Sequence, residues 1–332
     1  MKGIKGMERR EPSVCPALDV ITMGRVGIDL YPTVDGVTLD NVRTFEKSLG
    51  GTATNVAIAA ARHGLESAVI TRVGDDPFGL FVYAELQRVG VNDKFVRTIA
   101  GLNTPVAFCE IFPPDDFPLY FYRSPKAPDL RIEAAELDLA AISHARIYWS
   151  TGTGLSQEPS RSAHFAAWRA RGRKPMTILD LDFRPKFWSS LRSATEVLAE
   201  ALACVTVAVG NLEECEIAVG ERDPYRAADA LLDLGVELAI VKQGPAGVLA
   251  KTRTETVVVA PHPVEVVNGL GAGDGFGGAL CYGLSKEWPL RRTLSFANVA
   301  GAIVASRREC STAMPSTAEV EQTLKKLDNV DR

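Results

Sequence analysis

The order of apolar segments along this chain predicts an α/β protein. A mostly parallel central sheet is expected to carry helices on both faces, giving three α/β/α layers, with a small β-sheet projecting as a lid. Short β-branched runs alternate with segments of helical period, which is the pattern of a parallel sheet wound between helices. Those runs are apolar nearly throughout, as strands covered on both faces require. Two extended, turn-rich stretches, about 29–48 and 104–123, break the alternation and are too short to fold alone.

The first strand is expected at Leu18–Met23, before the lid segment that runs from Asp29 to Ser48. A helix over Thr54–His63, a strand over Ala68–Val73 and a helix over Phe78–Val89 follow. The second lid segment splits into strands Val106–Phe112 and Leu119–Arg123, joined by Pro113-Pro114-Asp115-Asp116, residues that favour turns. A lid of this kind closes over a ligand and excludes water. Strands at Arg146–Ser150, Thr177–Leu181, Val205–Val209 and Leu238–Lys242 then alternate with helices at Arg161–Arg171, Thr195–Ala203, Leu212–Val219 and Tyr225–Leu234. The last third reads as a strand at Val264–Val267, a glycine-rich turn, a helix to about Leu284 and an alanine-rich helix, Leu290–Ser306.

With 332 residues, 46% hydrophobic and 23% charged, the chain can bury a sizeable core. Its net charge of −4 offers no general attraction to nucleic acid or to a membrane surface. Six cysteines form no CxxC pair and four histidines show neither HxxxH nor HExxH spacing, so neither a zinc site nor a disulfide framework is expected, and thiols kept reduced fit a cytoplasmic protein. Met1–Pro16 is polar and basic without the apolar stretch of a signal peptide, and residues 1–16 are read as a flexible tail on a domain spanning 17–328. No apolar run approaches the ~20 residues of a membrane span.

The strongest chemical signal is Asn268-Gly269-Leu270-Gly271-Ala272-Gly273-Asp274-Gly275-Phe276-Gly277-Gly278, at the start of a helix. Gly271 and Gly273 let backbone N–H groups approach an anion, and the helix N-terminus adds roughly half a positive charge. Asp274, in the first turn, can accept a proton from an attacking hydroxyl, and the helix terminus is expected to keep it ionised. The alternative is a glycine-rich helix start packed on a neighbouring strand, with Asp274 as a cap. The segment lacks the third glycine of a dinucleotide fingerprint, and no GxxxxGK[ST] loop occurs. A second signal, Gly50-Gly51-Thr52-Ala53-Thr54-Asn55, also runs into a helix, and Asn55 offers a donor and an acceptor to sugar hydroxyls. Alone it is an ordinary helix start.

Taken together, Gly50-Gly51-x3-Asn55 and Gly271-Ala272-Gly273-Asp274 resemble the two signature motifs of the ribokinase/PfkB family of sugar kinases. The resemblance covers about residues 18–328 and implies a ribokinase-like fold that uses ATP and magnesium. It implies that Asp274 is the catalytic base and that Gly271, Ala272 and Gly273 form the anion-binding turn beside it. Asp29, Gly50, Gly51 and Asn55 would bind substrate hydroxyls. Asn211-Leu212-Glu213-Glu214 matches the family's NxxE element, placing Asn211 and Glu214 on the nucleotide side, with Glu214 reaching magnesium through water. Lys242, Gly244 and Gly247 fall on the nucleotide-binding turn, and Asn298 on a helix flanking the adenine. Where the family usually has an acid that helps hold a monovalent cation this chain has Asn268, so a requirement for such a cation is open.

Arg184, in Asp180-Leu181-Asp182-Phe183-Arg184, stands where relatives carry a D-x-N-x-R segment and could grip a phosphate or carboxylate in two places. Arg123, in Phe121-Tyr122-Arg123, resembles an arginine that meets the substrate carboxylate in kinases of 2-keto-3-deoxygluconate; a solvated arginine at a strand end is the alternative. The blocks Gly24–Pro32, Arg123–Asp129 and Glu309–Pro315 are similar to the subgroup that phosphorylates 5-dehydro-2-deoxygluconate at its C6 hydroxyl in inositol breakdown. Kinases of 2-keto-3-deoxygluconate and of fructose are the runners-up. A non-catalytic sugar or nucleotide sensor is the rival of another class, against which the intact Asp274 speaks. The open edges of a lid sheet suggest a homodimer closed through the lid.

Overall fold

The computed structural model describes residues 18–330. The expected flexible tail lies outside the described residues, and so does Cys15. The chain enters through β1 (Val20–Met23) and crosses into the lid as β2 (Gly27–Pro32) and β3 (Phe45–Gly50). It returns through α1 (Thr52–Arg62), β4 (Ser67–Gly74), α2 (Pro77–Arg88) and β5 (Val96–Ile99). A second excursion supplies the lid strands β6 (Val106–Cys109) and β7 (Leu119–Tyr122). Then follow α3 (Leu139–His144), β8 (Ile147–Thr151), α4 (Ser160–Arg171), β9 (Thr177–Asp180) and α5 (Leu191–Leu202). The next units are β10 (Val207–Asn211), α6 (Leu212–Val219), α7 (Pro224–Asp233), β11 (Leu238–Lys242), β12 (Val248–Lys251) and β13 (Thr256–Val259). Three helices, α8 (Ala272–Ser285), α9 (Leu290–Ala305) and α10 (Thr317–Val330), close the chain.

Among the described residues, nine strands form the main sheet in the order β13-β12-β11-β10-β9-β8-β1-β4-β5. From β11 to β5 every neighbouring pair is parallel, and β12 and β13 are added antiparallel at one edge. Successive side chains of a strand point to opposite faces, and the core divides on that period. Tyr148, Leu179, Ala208 and Val241 pack towards the layer of α3 to α7, with Trp168, Leu198 and Leu231. Their neighbours Trp149, Ile178, Val209 and Ile240 pack on the opposite face under α1, α8 and α9, with Val56, Phe276 and Phe296. Near-continuous apolar strands are therefore the direct consequence of covering both faces, as the sequence led one to expect. The lid is a separate four-stranded sheet, β3-β2-β6-β7.

The strand expected at Val264–Val267 is not formed. Pro261 and Pro263 bring no N–H to a sheet ladder, and the amides of Val267 and Asn268 donate instead to the carbonyl of Ala305, at 2.9 and 3.1 Å. The segment hangs from the end of α9, and the sheet edge is β13. The edge hairpin β12–β13 and the short strand β5 were not anticipated.

Candidate active site

A cavity of about 220 Å³ opens at the carboxyl ends of the parallel strands, between the sheet and the lid. Crevices at strand carboxyl ends are the usual ligand sites of such sheets. Strand register brings Asp180 at the end of β9 level with Val209, and Asn211 at the end of β10 level with Lys242 at the end of β11. These strand ends supply one wall. The lid supplies Asp29 from β2 with Leu119 and Phe121 from β7, and the starts of α1 and α8 supply the floor.

Both helix starts depend on glycine. Gly51 precedes α1 with φ 100° and Gly271 precedes α8 with φ 80°, conformations that ordinary side chains rarely adopt. A Cβ on Gly51 would meet the Arg25 carbonyl at 2.4 Å, and one on Gly271 would meet the Cys310 sulfur at 2.6 Å. The two helices pack closely because Gly278 lies against the backbone of Ala59. One turn nearer their N-termini, that contact brings Asn55 to Asp274, and the Asn55 Nδ2 donates to Asp274 Oδ2 at 2.7 Å. The Asn55 amide oxygen is buried without a partner, a vacant acceptor for a hydroxyl. Gly50 lies outside the lining itself but leaves the space that the Asp29 carboxylate fills, since a Cβ there would fall 2.2 Å from it.

Enclosure pushes the Asp274 carboxyl up to about 6, against the Asn55 hydrogen bond and the charges of Arg25 and Lys242. Burial thus outweighs the helix terminus and raises the group, yet at a value of about 6 it remains mostly ionised at neutral pH, as a base requires. Asp29 is raised to about 6 for the same reason, opposed by Arg25 and the Tyr31 hydroxyl. Asp180 is raised by burial despite Lys242, whose ammonium lies 4.0 Å away. Asp182 goes the other way: burial would raise it, but Arg25 and Arg184 and the hydroxyls of Thr153 and Thr52 hold it below the usual range.

Asn211 and Glu214 form a capping box at the start of α6: Glu214 N donates to Asn211 Oδ1 at 2.9 Å and Asn211 N to Glu214 Oε2 at 2.8 Å. Both side chains also line the cavity, as do Arg184, Lys242, Gly271 and Gly273. Lys242 stands beside the glycine turn, its Nζ 3.2 Å from where a Cβ on Gly273 would be. Gly244, Gly247 and Asn298 lie outside the lining and cluster near the end of β13. Gly247 packs on the Val259 carbonyl, and Asn298 Nδ2 donates to the Ala260 carbonyl at 2.6 Å.

Arg123 lines a small recess beside Arg25 at the lid side of the cavity, and is also bound to an acid of the chain. Its Nη2 donates to both oxygens of the buried Asp129, at 2.7 and 3.0 Å, and its guanidinium stacks on Phe187, so an internal acid takes the charge. Arg25, Thr52, Asp180, Asp182 and Phe121, none of them singled out from the sequence, line the cavity instead. Asp182 adopts φ 30°, an uncommon left-handed conformation for a residue other than glycine. The signal that could have found it is the pair of acids closing β9.

A family described as pfkB family carbohydrate kinase matches residues 17–317. The 5-dehydro-2-deoxygluconokinase of Geobacillus kaustophilus (strain HTA426) is 34% identical over 319 residues, 94% of this chain and 95% of that protein. The protein of the same name from Clostridium tetani (strain Massachusetts / E88) is 31% identical over 316 residues, 93% of each. Among solved structures, a fructokinase from Vibrio cholerae O395 with fructose, ADP and calcium ion bound superimposes with a TM-score of 0.81 at 25% identity, covering 93% of this chain and 99% of that one. A fructokinase from Xylella fastidiosa with bound ATP gives 0.82 at 25% identity over the same shares.

Proposed function

The chain belongs to the pfkB family of carbohydrate kinases, and from that premise we propose that it transfers the γ-phosphoryl group of ATP to the C6 hydroxyl of 5-dehydro-2-deoxygluconate, with Asp274 as the base. It is an ATP-dependent sugar kinase of ribokinase-like fold; the particular sugar acid is supported by the names of its relatives. The observation that carries the reading is the Asn55–Asp274 pair, set at 2.7 Å between two glycine-led helix starts.

In this reading Asn55 and Asp29 hold the sugar by its hydroxyls, with the attacking oxygen against Asp274. Asp274 takes the hydroxyl proton as the oxygen attacks phosphorus in line. The N–H groups of the Gly271–Asp274 turn, at the positive end of α8, receive the charge on the moving phosphoryl group, and Lys242 adds a full positive charge beside them. Asn298 and the Gly244–Gly247 turn flank the nucleotide base in this reading, a role that the family resemblance supports.

Among the described residues no three acids, histidines or cysteines are grouped as a metal cage. The acids lining the cavity, Asp180, Glu214 and Asp274, suit an ion that arrives with the nucleotide and keeps its waters. Magnesium bound this way neutralises phosphate charge. Glu214 would reach it through water, because its two oxygens already accept the amides of Asn211 and Phe183. At the position of the family's acid, the Asn268 side chain donates to the Arg308 carbonyl at 2.6 Å and accepts from Leu270 N at 3.0 Å. That amide ties the loop where a bound cation otherwise would, so we propose that no monovalent cation is required there. A cytoplasmic location and a homodimer through the lid complete the reading. The dimer is supported by the aromatic row Phe45–Phe108–Tyr122 on the lid, where Tyr122 is 66% exposed.

ADP release from ATP and magnesium, in potassium-free buffer, tests the reading with 5-dehydro-2-deoxygluconate, 2-keto-3-deoxygluconate, fructose and ribose. Turnover of the first above the others is expected. Preference for another sugar keeps the kinase and overturns the substrate, and turnover appearing only on adding potassium overturns the role given to Asn268.

A further inference from the structure

We infer that Arg25 is the residue that selects an acid substrate, its guanidinium binding the sugar's carboxylate at the lid side of the cavity; this rests on the function proposed above. The cavity is crowded with acids, so an anionic substrate needs a cation whose donors are free. Lys242 stands at the phosphate turn and pairs with Asp180. Arg184 lies 3.3 Å from Asp182 and 3.8 Å from Glu214 and donates to the Phe183 carbonyl, so its donors are taken up. Arg123 is held by Asp129.

Arg25 differs from all three. It is 9% exposed, its Nη2 donates to Thr52 Oγ1 at 2.8 Å, and its approach to Asp182 is loose, at 3.6 Å. Its Nε is buried without a hydrogen-bond partner. An unpartnered buried N–H is costly, and a carboxylate is the strongest acceptor that could relieve it. The side chain lies over the Phe121 ring, 5.7 Å from its centre, and lines both the main cavity and a narrow pocket continuing from it. That recess, of about 10 Å³, has room for little more than a water and is lined also by Gly27, Asp29, Val106, Phe121 and Arg123, so the carboxylate would lie at its mouth, in the main cavity. The Arg25 charge set against the Phe121 ring matches a carboxylate followed by an unhydroxylated methylene, the C1–C2 end of a 2-deoxy acid. The C6 hydroxyl is then free to point towards Asp274.

The test compares kcat/KM for 5-dehydro-2-deoxygluconate with that for the same sugar carrying a C1 hydroxymethyl group in place of the carboxylate. In Arg25→Gln the acid-to-neutral ratio is expected to fall about 10- to 100-fold, the size of a lost charge-assisted hydrogen bond, and Arg25→Lys to recover part of it. An equal fall on both substrates, which a purely structural role through Asp182 and Thr52 would give, overturns the inference. So does a larger fall in the ratio for Arg123→Gln than for Arg25→Gln. Failure of the broader reading is seen separately, in wild-type enzyme that does not turn over the acid at all, and it takes this inference with it.

Discussion

At the scale of single residues, the proposed chemistry turns on the protonation of Asp274. Its folded-state value of about 6 lies above the ordinary carboxylate range because its surroundings desolvate it. A base must be deprotonated, so kcat/KM is expected to be flat above that value and to fall about tenfold per unit as pH drops below it. Asn55 donates to the ionised form and so favours it. Asn55→Ala should therefore move the acid limb to higher pH, beyond any loss of substrate affinity; a limb that stays in place would mean Asn55 does not act on the base. Asp274, Asn55, Asp29 and Lys242 were legible in the sequence because each sits in or beside a glycine turn or strand end with its own pattern. Arg25 and Asp182 were not singled out, although each lies in a quoted segment, since their pairing is made only by the fold. Arg123 was placed near the site by its pattern, but its bond to Asp129, six residues on, was not legible.

At the scale of elements, the site is assembled by the contact of α1 with α8. Gly278 has no room for a side chain, since a Cβ would fall 2.2 Å from that of Ala59 and 2.7 Å from its backbone. Gly278→Ala is expected to cost about 1–3 kcal/mol, the usual range for overpacking, seen as a lower urea midpoint at unchanged slope. It should also lower kcat by shifting Asn55 from Asp274, although position 278 touches no substrate. Unchanged stability would mean that the two helices part without cost. The helices were readable from their period, while the hairpin β12–β13 was hidden among short valine-rich runs. The false strand at Val264–Val267 had the right composition, but its prolines and the pull of the Ala305 carbonyl decided otherwise.

At the scale of the whole molecule, two glycine motifs more than 200 residues apart in sequence meet because a parallel sheet collects its strand ends on one side. The main sheet and the lid were legible as breaks in one alternating pattern; the cavity between them was not, because its depth depends on how the lid sits over β9 and β10. A lid whose aromatic row ends in the exposed Tyr122 should pair with a second copy, so Tyr122→Lys is expected to shift the mass measured by light scattering from dimer to monomer. A wild-type monomer at assay concentrations would contradict the pairing. The central claim, that Asp274 is the base of a phosphoryl transfer to a sugar acid, meets its most direct test in the kcat of Asp274→Asn at saturating ATP, magnesium and 5-dehydro-2-deoxygluconate. A fall of ~10²–10⁴ relative to wild type, with ATP still bound, is the result the account predicts. Turnover close to wild type would contradict it.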